Sequence, residues 1–93
     1  MSAYLVVELT MKNVEALGRY RAGIGATLKR FGGELLVGAA PWQLLHGRSA
    51  FETGTILVFP SKEAALAWYE SSEYQALAPT RNNAFSSRFR IVG

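Results

Sequence analysis

The stretch Gly54-Thr-Ile-Leu-Val-Phe-Pro-Ser-Lys-Glu-Ala-Ala-Leu-Ala-Trp68 decides the fold. Its first half, Gly54–Pro60, is a β-branched and aromatic run closed by a proline that cannot donate to a sheet ladder, so it reads as a strand. Ser61 then offers a side-chain oxygen to cap a helix, with Lys62 and Glu63 in the first turn and Ala64, Ala65, Ala67 and Trp68 as packing residues. A strand leading straight into a capped helix is half of a strand–helix–strand unit.

The same order occurs upstream. Ala3–Leu9 is strand-like, with Leu5, Val7 and Leu9 facing one way and Tyr4, Val6 and Glu8 the other. Asn13 caps a helix whose apolar positions Val14, Leu17, Ile24, Leu28 and Phe31 recur at helical spacing and stop at Gly32-Gly33. Gly18, Gly23 and Gly25 each weaken that helix by up to about 1 kcal/mol relative to alanine, so packing against a sheet must hold it. Glu34–Gly38 reads as a second strand, Trp42–His46 as a short extension after Pro41, and Gly47–Thr53 as a polar loop. Downstream, Ser71-Ser72 interrupts the second helix, Glu73–Ala78 makes a further turn, and Pro79 carries the chain on through Thr80–Asn83. Phe85–Val92 alternates and is the fourth strand, Phe85, Ser87, Phe89 and Ile91 on one face.

Two strand–helix–strand units with right-handed crossovers predict an α+β, ferredoxin-like βαββαβ domain spanning residues 1–93, a four-stranded antiparallel sheet with helices on one face. If Leu5, Val7, Leu57 and Phe59 meet the helices, then Tyr4, Val6, Glu8, Ile56 and Val58 form an uncovered face too apolar for water. A second copy packed on that face gives a homodimer, the commonest closed solution.

Composition narrows the function. With 93 residues the chain suits one core. It has no cysteine, which excludes disulfides, thiol nucleophiles and thiolate metal sites. The net charge of +3 comes from basic residues spread along the chain, a weak signal for nucleic acid. No run approaches the roughly 18 apolar residues that cross a bilayer, and the N-terminal apolar run lacks a basic leader, so no membrane association and a cytoplasmic location are expected. An RNA-recognition motif shares the element order, but it needs exposed aromatics where the third strand offers Ile56 and Val58. Gly32-Gly33 ends a helix and so makes no phosphate-binding loop.

The segments Phe59-Pro-Ser and Ala65-x-x-Trp68-Tyr69-x-Ser71-x-Glu73-Tyr74, with Arg81 beyond them, resemble a bacterial family known as domain of unknown function thirteen-thirty. Tyr4, Tyr20 and Phe31-Gly32-Gly33 also fit. The resemblance implies membership of the dimeric α+β barrel superfamily, which holds monooxygenases, muconolactone isomerases, haem-degrading enzymes and small-ligand sensors, so the fold alone selects no activity. The chain departs from the family at Ser72 (often proline), His46 and Val58 (often acidic) and Gly38 (often arginine).

Candidate chemistry rests on a few residues. Arg81, beside Asn82 and Asn83, is suited to hold a carboxylate or enolate oxygen; the plainer reading pairs it with Glu73 or Glu70. His46 is the only histidine and the only side chain whose ordinary pKa suits proton transfer near neutrality. Glu8 is the second candidate for catalysis, a carboxylate on the uncovered face that needs a partner or a raised pKa. Tyr4, Tyr20, Trp68, Tyr69 and Tyr74 are candidates to line a pocket for an aromatic ligand, against the plainer reading of Trp68 and Tyr74 as packing residues. One histidine without cysteine argues against a metal site, and no cofactor is expected. These residues suggest a cofactor-free enzyme, or a binder of a small aromatic or oxo-acid metabolite; the alternative is a non-catalytic dimerisation or accessory module.

Overall fold

The computed structural model describes residues 2–93. Its elements are β1 (Ala3–Met11), α1 (Val14–Arg30), β2 (Glu34–Pro41), β3 (Thr53–Phe59), α2 (Lys62–Glu70), the single turn α3 (Ser72–Gln75), α4 (Ala78–Ala84) and β4 (Phe85–Val92). The sheet order is β2-β3-β1-β4 with every neighbouring pair antiparallel, the ferredoxin-like arrangement expected from the element order. No helix among the described residues is long and apolar enough to cross a membrane.

The caps behave as their chemistry dictates. Asn13 Oδ1 accepts from Ala16 N at 2.9 Å and Ser61 Oγ from Ala64 N at 3.0 Å. The first helix stops because Gly32 takes a left-handed φ of 73°, which lets the Gly32 and Gly33 amides turn back onto Lys29 and Leu28 carbonyls. Gly23 has a different reason: a side chain there would run into Leu77, so the glycine lets α1 approach the start of α4.

The core lies between one sheet face and the helices. Leu5, Val7, Leu9, Leu57 and Phe59 point into it together with Ala16, Tyr20, Leu28, Ala65, Trp68, Tyr74, Ala84 and Phe85. On the opposite face, β1 sets Tyr4 between Val58 and Val92, Val6 between Ile56 and Arg90, and Glu8 between Gly54 and Arg88. No helix covers these side chains, and Tyr4 is 41% exposed.

Three local expectations are corrected. Ala78–Ala84 is a helix and not an irregular passage: Pro79 occupies its first turn, where the amide it lacks would have had no helical partner. The second strand runs on to Pro41 with two register shifts, and Trp42–His46 adds no strand; only the Trp42 amide reaches across, to the Glu52 carbonyl. Pro41 is tolerated because β2 is an edge strand. Val14, read as part of the buried stripe of α1, is 70% exposed because it sits in the first turn, beyond the edge of the core.

Candidate functional site

Four elements deliver aromatic rings to one place. Ser71 Oγ caps the single turn α3 through the Tyr74 amide at 3.1 Å and donates to the Trp68 carbonyl at 2.7 Å, which fixes Tyr74 against the end of α2. Tyr69 comes from α2, Tyr20 from α1 and Phe89 from β4, with Tyr69 and Tyr74 ring centroids 5.4 Å apart and Tyr20 meeting Tyr74 edge to face at 6.3 Å. Arg81, in the last turn of α4, lays its guanidinium 5.9 Å from the Tyr69 and Tyr74 centroids and 5.3 Å from that of Phe89.

The hydrogen bonds form a chain. Arg81 Nη1 donates to the Tyr69 and Tyr74 hydroxyls at 3.3 Å each, and its Nε donates to Asn82 Oδ1 at 3.2 Å. The Tyr74 hydroxyl in turn meets the Tyr20 hydroxyl at 2.9 Å. All three acceptors of Arg81 are neutral oxygens. Of its five N–H donors, the two on Nη2 have no protein acceptor among the described residues. The expected alternative, a pairing of Arg81 with Glu73 or Glu70, is not formed: Glu73 is engaged by Arg30.

The electrostatics follow from burial. Loss of water raises the pKa of Tyr20, and its buried neighbour Tyr74 adds to the effect. Burial also raises Tyr74, although the hydrogen bonds with Tyr20 and Arg81 pull the other way. Both phenols are therefore neutral at physiological pH, unsuited to act as bases there. For Arg81, partial burial works against the charge but the hydroxyls of Tyr74 and Tyr69 outweigh it, so the guanidinium stays charged.

Arg81 opens onto a cavity of about 620 Å³ between α2, α4 and the outer edge of β4. Leu5, Leu66, Phe85, Phe89 and Ile91 give it an apolar lining, Asn82, Ser86 and Ser87 line it with polar groups, and Lys12, Arg81 and Arg90 bring positive charge. No acidic side chain lines it among the described residues. An anion with an apolar body suits such walls.

The other expected site residues fall elsewhere. Trp68 and Tyr74 are fully buried and do not line the Arg81 cavity; Trp68 Nε1 donates to Thr27 Oγ1 at 3.0 Å, so it is a core residue, and Tyr74 acts by supporting Arg81. Tyr20 lines a second cavity, between α1 and the sheet. Tyr4 lies on the uncovered sheet face, away from Arg81.

Glu8 also occupies the uncovered face, only 6% exposed. Arg88, its direct cross-strand partner, grips it through Nε at 3.0 Å and Nη2 at 3.4 Å, and Arg90 donates to the same carboxylate. On the other side the Trp42 indole fills the space that a side chain on Gly54 would need. The Arg88 hydrogen bond, opposed by burial and helped by both arginine charges, holds the carboxyl below its ordinary pKa. Its charge is thus matched, and it is no proton carrier near neutrality. His46 sits exposed in the β2–β3 loop and lines neither cavity. Within one chain neither His46 nor Glu8 lines the Arg81 cavity; Glu8 lies on the opposite sheet face and is linked to that cavity through Arg90, which touches both.

What the sequence reading missed is Lys12 and Phe89 around Arg81, and Arg88 and Arg90 around Glu8. The alternation of β4 carried the signal: it sets Phe89 on the core face and both arginines on the face of Glu8. Among the described residues, no three of histidine, aspartate and glutamate converge as a metal site would need.

This arrangement spans nearly the whole chain, and so does a family match: residues 2–93 fit the family described as Domain of unknown function (DUF1330). The chain belongs to that family. Its fold is shared with a protein of unknown function from Rhodopseudomonas palustris at 19% identity and a TM-score of 0.75, covering 98% of this chain and 80% of that one. A dimeric ferredoxin-like protein of unknown function from Jannaschia sp. matches with a TM-score of 0.65 and 15% identity, over 100% of this chain and 99% of that one. A third, SnoaB, a cofactor-independent oxygenase from Streptomyces nogalater, matches at 14% identity with a TM-score of 0.65, over 99% and 91% of the two chains. No curated protein matches the chain. At these identities the solved structures speak for the fold alone. The activity of this DUF1330 chain must be argued from its own side chains.

Proposed function

We propose that this chain binds a small aromatic or oxo-acid metabolite in the Arg81 cavity without a cofactor, the anionic end on Arg81 and the apolar body against Leu66, Phe89 and Ile91. The observation that carries this reading is a charged guanidinium, stacked on three rings and held by neutral oxygens, that has donors to spare and no carboxylate partner. Arginine makes its strongest hydrogen bonds to carboxylates and phosphates, and none of the ion pairs among the described residues involves Arg81. Cofactor-free chemistry on a small molecule is compatible with the fold, since SnoaB is a cofactor-independent oxygenase.

The test uses phenylpyruvate, an aromatic oxo acid, titrated calorimetrically. A charge-assisted hydrogen bond contributes about 1.5–3 kcal/mol, so Arg81→Ala is expected to weaken binding roughly 10- to 150-fold, with Arg81→Lys in between. Equal binding by the native chain and Arg81→Ala overturns the reading. So does a native chain that binds nothing while Arg81→Ala merely lowers Tm, which favours an accessory module in which Arg81 is a strut.

The uncovered face supports a homodimer as part of the same reading, with Tyr4, Val6, Ile56, Val58 and Val92 as its apolar contact. Light scattering at micromolar concentration is expected to give twice the chain mass, and Val6→Lys, at the centre of the face, to give a monomer. A monomeric native chain rules the dimer out.

A further inference from the structure

The second cavity, of about 440 Å³, lies between α1 and the sheet and differs from the Arg81 cavity in kind. From α1 it takes Leu17, Tyr20, Arg21, Ile24, Gly25 and Leu28, a single helical stripe at spacings of three and four. Val7, Leu9, Leu57 and Phe89 line it from the sheet. The helix packs most closely on α4, so an apolar stripe and an apolar sheet face stand apart with space between them. Protein interiors are close-packed, so where α1 and the sheet leave a cleft between their apolar side chains, the lining forgoes part of its dispersion contacts and gives water no partners. Such a cleft gains most from an apolar guest.

The rim defines the rest of the guest. Arg21 is exposed, joins no ion pair among the described residues, and no acid lines the cleft. Gly25 and Gly38 flank the opening as residues without side chains: nothing lies within 4 Å of a Cβ built on Gly25, and only the Leu35 side chain, at 3.9 Å, approaches one on Gly38. The stripe from Leu17 to Leu28 runs roughly 16 Å along the helix, at about 1.5 Å per residue, long enough for an extended medium-length acyl chain.

We infer that this cleft, which meets the Arg81 cavity only along the shared Phe85 and Phe89, is a second binding site, for a medium-chain fatty acyl carboxylate, its chain beneath α1 and its carboxylate at Arg21. The site does not depend on Arg81, and a failure of the proposed function leaves it standing.

The probe is decanoate, added below its micelle concentration to the full chain and followed by methyl resonances and by calorimetry. Methyl groups of Leu17, Ile24, Leu28 and Leu57 are expected to shift, while those of Leu66 and Ile91, which line only the Arg81 cavity, stay put. Gly25→Leu puts a side chain over the opening where nothing obstructs it, and replaces a poor helix former by a good one. It is expected to raise the Tm of the free protein by a few degrees and to reduce decanoate binding at least tenfold. Arg21→Glu is expected to reduce decanoate binding at least tenfold as well, with 1-decanol binding unchanged. Shifts confined to Leu66 and Ile91, no binding by the native chain, or full binding by Gly25→Leu overturns the site. Undiminished decanoate binding by Arg21→Glu overturns the carboxylate assignment.

Discussion

Replacing Trp68 by alanine is expected to lower Tm by at least about 12 °C in a thermal melt followed by circular dichroism. Trp68 is fully buried, its ring centroid 4.1 Å from that of Tyr74 and 5.5 Å from that of Phe59. Truncating a buried tryptophan costs about 3–5 kcal/mol through lost transfer energy and an unfilled cavity. For a domain of this size each kcal/mol shifts Tm by roughly 4–8 °C, which sets the lower bound. The indole also organises a polar contact: Nε1 donates to Thr27 Oγ1, which donates onward to the Ile24 carbonyl at 2.7 Å. Trp68→Phe keeps much of the volume and gives up that bond with part of the ring packing, so its loss is expected to be less than half as large. A fall below about 5 °C for Trp68→Ala contradicts a core role for the indole.

That role bears on how the site was legible. Trp68 and Tyr74 stand in the motif that marks the family resemblance, and aromatic residues in such a motif suggest a ligand wall. The structure gives the motif a simpler cause. Trp68 fills the centre of the core, Ser71 caps the turn that follows, and Tyr74 is thereby held where its hydroxyl supports Arg81. The motif builds the platform, and Arg81 alone of those residues presents a charge to a cavity.

The fold could be read because its signals are local. Asn13 and Ser61 cap within three residues of themselves, and the alternation of β1 and β4 decides their faces one residue at a time. The errors arose where a local rule has two outcomes. Pro79 breaks a helix interior but is well suited to a first turn, and Pro41 ends a central strand but not an edge strand. Charge partners were illegible for another reason. Glu8 and Arg88 are eighty positions apart and meet only because β4 pairs with β1 in one register; a slip of one residue would set Arg88 on the core face. The mate of Glu73 is likewise Arg30, two helices earlier, which released Arg81 from the pairing that proximity in sequence suggested.

The tyrosine chain makes the fold sensitive to alkali. Tyr20 and Tyr74 have raised pKa values in the folded chain, chiefly because burial opposes the phenolate, whereas in the unfolded chain both ionise near the ordinary value of 10.0. Above that pH the native state holds protons that the unfolded state has released. Stability is therefore full below about pH 10 and falls as the pH rises past it. Tyr20, the more strongly raised of the two, gives a slope of about 1.4 kcal/mol per pH unit, and Tyr74 adds to it for as long as it stays protonated in the fold. The measurement pairs the tyrosinate absorbance with far-ultraviolet circular dichroism, and difference titrations of Tyr20→Phe and Tyr74→Phe assign the two phenols. Their absorbance is expected to rise only as the helical signal is lost, in one cooperative step. Tyr20→Phe removes the more strongly shifted of the two phenols and is expected to shift that step to higher pH, provided its neutral-pH stability is matched by measuring both chains in denaturant. Ionisation of both phenols near pH 10 with secondary structure intact contradicts the buried chain from Tyr20 to Arg81, and with it the neutral platform on which the Arg81 charge rests.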